Sequence, residues 1–319
     1  AIRAYDGSVM LGGSRFVNNT AQNLGGAIAA FNSDIMMDSV AFIMNHCIQG
    51  DGGGLYVENN HTEDYRNVMI TNTIFAENTA ENGEGAGAEI KSTNGAYTDA
   101  YFDRVEFHQN SGYAYSGYRF LGNVWGNVFN SAIVGNQAQA YAAGGGTMAG
   151  AYLNMDHCLI AGNLANLNGG TANSGGLSIW NGSSANFSYC TFAGNSAEYG
   201  SALTVGGGSS AYMDGSIVWA NPGDNALAAV QWDENGSELN VYNSVVMGGE
   251  SGMYSDELSY LYNEGVLDLD PFFCDPTNGN FSIDVLSSAV TPWGEPMGAL
   301  GYGCEGTVMA AAHILSVED

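Results

Sequence analysis

Four aspartates recur at one fixed phase. Asp38, Asp103, Asp156 and Asp214 each stand four positions before a bulky apolar residue, respectively Phe42, Phe107, Ile160 and Val218. Hard carboxylate oxygens suit calcium, but aspartate at a regular phase also caps backbone bends, and capping explains the set without a ligand. Asp268, Asp270 and Asp275 make a second acidic group, read the same way: turn chemistry first, a weak calcium site second. No cofactor is expected, and calcium is the only candidate ion.

Other chemistry is sparse. The histidines (His46, His61, His108, His157 and His313) show no metal-ligand spacing to one another. There is no Cys-x-x-Cys and no nucleophile elbow. A uronate lyase needs a basic residue to take the proton, and only Arg66, Lys91, Arg104 and Arg119 could serve. Asn60 to Arg66 is the most polar insertion and reads as an exposed loop.

Charge narrows the partners. The chain has 319 residues with 6 basic and 33 acidic side chains, a net charge of -27, and no Lys or Arg follows Arg119. Nucleic acids and anionic membranes are recognised by cationic side chains, so neither is an expected partner. No apolar run is long enough to insert into a bilayer. With 45% hydrophobic and 12% charged residues, the composition is that of a packed protein with a solvated acidic surface.

The elements that must position these side chains announce themselves as a repeat. A bulky apolar residue stands three positions before an asparagine in Phe16-Val-Asn-Asn19, Phe42-Ile-Met-Asn45, Phe75-Ala-Glu-Asn78, Phe107-His-Gln-Asn110, Ile133-Val-Gly-Asn136, Ile160-Ala-Gly-Asn163, Phe192-Ala-Gly-Asn195 and Val218-Trp-Ala-Asn221. The asparagines are 26, 33, 32, 26, 27, 32 and 26 residues apart. A period in this range signals stacked supersecondary units. Five positions before the bulky residue lie Leu11, Met37, Ile70, Phe102, Val128, Met155, Phe187 and Met213. Two before it lie small residues, from Ser14 to Ser216, with Cys158 and Cys190 among them. Apolar side chains thus alternate within each unit, the signature of strands. A ninth unit keeps the rule with Leu239, Val241, Ser244 and Val246.

Short strands between Gly/Asn bends cannot bury a face alone, but stacked parallel turns can. The predicted fold is all-β: a right-handed parallel β-helix of about nine rungs spaced ~4.8 Å apart, with residues 1–250 as rungs, 251–306 as a closing segment and 307–319 as a tail. Ala1 to Ser8 matches Ala27 to Asp34 position for position, so the chain reads as beginning in mid-rung, a piece of a longer precursor. The asparagines are expected to form an inward ladder, each amide bonding its neighbours above and below.

These units resemble the polymorphic outer-membrane-protein repeat of bacterial surface β-helices: Phe-x-x-Asn elements alternate with Gly-Gly-Ala-Ile-like elements at Gly25 to Ile28, Gly53 to Leu55, Gly87 to Ile90 and Gly175 to Leu177. The stretches Asp268 to Phe281 and Met297 to Cys304 are similar to the closing segments of secreted bacterial right-handed β-helix proteins. Cys274 and Cys304 flank that segment and are expected to pair, pinning the end of a secreted protein. Cys158 and Cys190 share one column on successive rungs and read either as a disulfide or as stacked core thiols. Cys47 falls in no column. The loops Thr79 to Ala86 and Leu164 to Ser174 are Gly, Ala and Asn rich and carry few aromatics. Trp125, Trp180, Trp219 and Trp232 are expected in core or cap packing rather than on a sugar-stacking surface.

The resemblance implies a secreted or cell-surface, structural or adhesive protein without catalysis. A subunit of an extracellular assembly, self-associating end to end or laterally, is one form of that reading; a surface glycan is the candidate ligand. The alternative is a polysaccharide-active β-helix, lyase or glycoside hydrolase, or a carbohydrate-binding module. The Asp-Asp, Gly-His-Gly and Arg-x-Lys elements of β-helical polygalacturonases are absent.

Overall fold

The chain winds as a right-handed parallel β-helix. A computed structural model describes residues 1–165, 173–223, 225–231 and 234–304. A first sheet of ten parallel strands runs from Ile2–Tyr5 through Ala88–Ser92 and Tyr118–Gly122 to Met253–Ser255. A second, also of ten, runs from Ser8–Gly12 through Val124–Phe129 and Tyr152–Asp156 to Tyr260–Glu264. A third, of nine, runs from Arg15–Val17 to Val245–Val246. Among the described residues no helix is long and apolar enough to cross a membrane.

The inward columns are those the alternation predicts. Phe16, Phe42, Phe75 and Phe107 stack face to face at 5.2, 4.7 and 5.0 Å, spacings close to the strand separation. Gly126 faces the Phe120 ring across the core, and a Cβ there would collide with it. The Gly-Gly-Ala-Ile elements have a steric origin. At Gly54, Gly87, Gly117 and Gly144 a Cβ would run into a carbonyl oxygen of the next rung, so only glycine lets the coils approach.

All eight ladder asparagines stand in line. The Oδ1 of Asn110 accepts from the Asn78 backbone N–H at 2.9 Å and from Asn78 Nδ2 at 3.0 Å, while Asn110 Nδ2 donates to the Phe75 carbonyl at 2.9 Å. The pattern repeats from Asn19 to Asn221, closing on Asn221 Oδ1, which accepts from Asn195 at 2.9 and 3.0 Å. The interior members are fully buried, and the ladder leaves no interior amide unpaired.

Three features depart from the sequence reading. A fourth sheet of six strands, from Thr20–Ala21 through Thr79–Glu84 and Ser111–Ala114 to Leu164–Ala165, follows the asparagine corner. It takes in most of what reads as the Thr79 to Ala86 loop, and it gives Cys47 a column between Ala21 and Ala80. Residues 253–264, read as the start of the closing segment, add a tenth strand to each of the first two sheets.

The closing segment itself lies along the outside of the third sheet. The Gly298 N–H donates to the Gly215 carbonyl at 2.9 Å, and the Ala299 N–H to Thr191 Oγ1 at 2.9 Å. Ile217, Val245, Ile283, Ala289 and Met297 form a separate small core there. Cys274 and Cys304 are bonded, with Cα atoms 5.5 Å apart. Cys47, Cys158 and Cys190 are free and buried. Cys158 Sγ lies 3.3 Å from the Val128 carbonyl, in the column where Ser131, Ser216 and Ser244 hold hydroxyls. The tail 307–319, His313, Trp232 and most of the Leu164 to Ser174 loop lie outside the described residues.

Candidate binding face

The outward positions of the second sheet form a flat face three columns wide. Registered strand by strand, the middle column reads Met10, Met36, Met69, Tyr101, Asn127, Asn154, Asn186, Tyr212, Asn240 and Tyr262. One flanking column places Asp99, Trp125, Tyr152 and Ser184 side by side. The other carries Asp38, Thr71, Asp103, Phe129, Asp156, Ser188, Asp214 and Tyr242. With the strand separation at ~4.8 Å, ten strands span about 43 Å.

Aromatic rings lie along this surface rather than beneath it. Trp125 is 59% exposed and Tyr260 75%. The Trp125 and Tyr152 rings meet at 4.7 Å, Tyr212 and Tyr242 at 4.9 Å, and Tyr101 and Phe129 at 5.5 Å. Asn186 Nδ2 donates to the Tyr152 hydroxyl at 2.7 Å. The Trp125–Tyr152 pair therefore borders a row of three amides, Asn127, Asn154 and Asn186, beyond which lies Asp156. Apolar ring faces beside two-way amides and accepting carboxylates can engage a molecule with both C–H faces and hydroxyl groups. Trp125 thus leaves the core and cap packing expected of it. Trp219 packs on the closing segment, and the Trp180 ring lies over Gly206.

The four phased aspartates share one column on alternate rungs, as the sequence implies, and three of them accept side-chain hydrogen bonds from the following rung. Asp38 accepts from Thr71 Oγ1 at 2.7 Å and Asn72 Nδ2 at 2.6 Å; these bonds, Asn72 first, hold its carboxyl below the ordinary value. Asp103 accepts from Asn130 Nδ2 at 2.9 Å, and Asp214 from Asn243 Nδ2 at 2.9 Å. Asp156 meets His157 Nδ1 at 2.9 Å. The residue after each aspartate (Ser39, Arg104, His157 and Gly215) has positive φ, so the column marks a left-handed corner.

Asp268 accepts from the Gly248 amide, Asp270 from the Phe272 amide, and Asp275 from Asn278 and Thr277. Asp268, Asp270 and Asp275 thus accept backbone N–H groups at turns, whereas the four phased aspartates bond side chains. Among the described residues no three His, Cys, Asp or Glu side chains come together to hold a metal.

The basic residues named as lyase bases are each tied to carboxylates. Arg66 pairs with Asp64 at 2.7 Å, Lys91 with Glu58 at 3.8 Å and Arg104 with Asp103 at 2.8 Å. Arg119 contacts Glu84 and lies 3.5 Å from Glu89.

Those last three residues are a buried ionic cluster between the first sheet and the fourth. Glu89 and Arg119 are register partners on adjacent strands, pointing away from the main core. Tyr115, fully buried, offers its ring to the guanidinium 5.4 Å from the centroid, and Tyr141 donates its hydroxyl to Glu84 at 3.2 Å. Burial pushes the Glu89 carboxyl up to about 8, against the pull of Arg119. Burial also raises Glu84 and takes Tyr141 to about 12. Arg119 stays charged, its own burial being outweighed by Glu89 and Glu84. One guanidinium serves two carboxylates and closes on Glu84, leaving Glu89 the neutral member. Sequence reasoning missed this cluster, although the glutamate in the Gly87-Ala-Glu-Ile element was its signal. The register places Ala29 and Tyr56, both uncharged, at the same position on the two preceding rungs.

No family model, curated protein or solved structure matches this chain.

Proposed function

We propose that this is a non-catalytic, adhesive β-helix of the cell surface or secreted space, and that its second sheet binds a neutral polysaccharide. The observation that carries the reading is the Trp125–Tyr152 ring pair set beside the Asn127, Asn154 and Asn186 amides on a flat exposed sheet. A sugar ring presents a C–H face to an aromatic and hydroxyls to amides and carboxylates, so the surface offers both complements. Asp99 and Asp156 line the same patch and disfavour uronate or sulfated chains by like-charge repulsion. The Cys274–Cys304 bridge supports an oxidising compartment, and the resemblance to bacterial surface repeats supports a bacterial surface or secreted setting.

Retention on insoluble neutral polysaccharides (cellulose, chitin, mannan and β-1,3-glucan) tests the proposal. Trp125→Ala should abolish retention on whichever matrix holds the wild type. Equal retention of the variant, or retention on pectate alone, would sink it. Concentration-dependent sedimentation without sugar that Trp125→Ala removes would reassign the face to a second copy of the chain.

A further inference from the structure

The closing segment and the third sheet enclose a groove of about 490 Å³, whose lining includes Trp219, Phe272, Phe273, Phe281 and Asp270. Its volume falls in the range of small-molecule sites. We propose that this groove binds a small organic cation of the alkylammonium class.

Three observations select that ligand. The walls are aromatic. Phe273 and Phe281 pack edge to face at 5.3 Å, Trp219 forms part of the opposite wall, and Phe272 remains 57% exposed at the mouth. Ring faces attract a cation whose charge is spread over methyl groups. The carboxylate in the lining, Asp270, has one oxygen on the Phe272 amide at 2.8 Å and contributes the negative charge such a cation needs. Finally, no Lys or Arg follows Arg119. Arg119 belongs to the fifth strand of its sheet and Trp219 to the eighth of its own, about 14 Å apart along the coil, beyond the ~8 Å screening length at physiological salt. The local field therefore favours cations and opposes anions. No three His, Cys, Asp or Glu side chains gather among the described residues.

The mouth is also built in advance. Phe272 holds φ at +50°, a left-handed conformation that a bulky side chain adopts at a cost. Its N–H is held by Asp270 and its carbonyl accepts from the Asp284 N–H at 2.9 Å. The neighbouring strand Phe273–Asp275 is fixed by its antiparallel partner Asn280–Ile283 and by the Cys274 bridge. A rigid aromatic wall loses little entropy on binding.

Calorimetric titration of the whole protein with choline, and with its uncharged isostere 3,3-dimethylbutan-1-ol, tests the proposal. Choline should bind at least about fivefold more tightly than the isostere, the difference a cation contributes over ring faces. Asp270→Asn should weaken choline and leave the isostere unchanged. Phe272→Gly suits the left-handed backbone and should keep or raise the melting temperature while choline binding is lost, so that lost binding cannot be ascribed to misfolding. Absence of choline binding, equal binding of the isostere, or unchanged binding by Phe272→Gly would each overturn the assignment.

Discussion

Glu89 and Arg119 face each other across adjacent strands of the first sheet, 3.5 Å apart, and neither Glu89 oxygen accepts a hydrogen bond. An acid in such a place is easier to bury neutral than charged. Its folded value of about 8 lies above the ordinary 4.5. A raised value means that the stabilisation is complete below pH 4.5 and is lost progressively as the pH climbs to about 8. Wild type should therefore lose on the order of a few kcal/mol between about pH 4.5 and about pH 8 through this group. Glu89→Gln should flatten that slope. Melting curves across the interval check it; parallel slopes for the two proteins would show that Glu89 is ionised throughout.

The asparagine ladder makes a graded prediction. Asn110→Ala strands the Asn78 amide and the Phe75 carbonyl inside the coil, at roughly 1–3 kcal/mol for each buried group left unpaired. Asn19→Ala, at the exposed start of the ladder, should cost under about 1 kcal/mol by the same argument. Hydrogen exchange on neighbouring rungs gives the comparison without requiring the whole coil to unfold in one step. Equal effects at the two positions would mean that the ladder is decorative.

Reduction should act locally. The Cys274–Cys304 bridge closes a separation of 30 residues, worth roughly 3–4 kcal/mol in the chain-entropy account. Cys304→Ser should free the closing segment from the third sheet, breaking the Trp293 Nε1–H bond to the Tyr189 hydroxyl and shifting tryptophan emission to the red. The main coil transition should stay in place, because its rungs make their bonds to one another. A collapse of the whole transition would place the closing segment within the folding unit of the coil.

Thiol chemistry separates the remaining cysteines. Cys47, Cys158 and Cys190 are buried and free, and burial raises the thiols of Cys47 and Cys190. Buried thiols kept protonated react slowly. Native oxidised protein should show almost no reaction with a thiol reagent, and denatured protein three equivalents, one for each free cysteine. A single equivalent after denaturation would mean that Cys158 and Cys190 had been bonded.

The sequence by itself determined the coil. Its period, the inward Phe, small-residue and Asn columns, and the right-handed parallel stacking were all legible, because inward positions on every rung meet the same neighbour one rung away. Like stacks on like, so a local pattern becomes a global one. The Cys274–Cys304 pairing was legible through resemblance.

What the tertiary structure decided lies on the outward positions. Whether an outward residue is buried depends on which distant segment covers it, and no local period records that. Glu89 and Arg119, register partners on adjacent rungs, are buried together only because the fourth sheet roofs them. Ile217 and Val245 are buried only because the closing segment returns along the third sheet instead of plugging the end. Trp125 is exposed because nothing among the described residues covers the second sheet. The uncharged outward run Leu159, Thr191, Ile217 and Val245, where Arg15 and Glu106 stand on earlier rungs, was the trace of that covering segment, and only the folded chain shows what it meets.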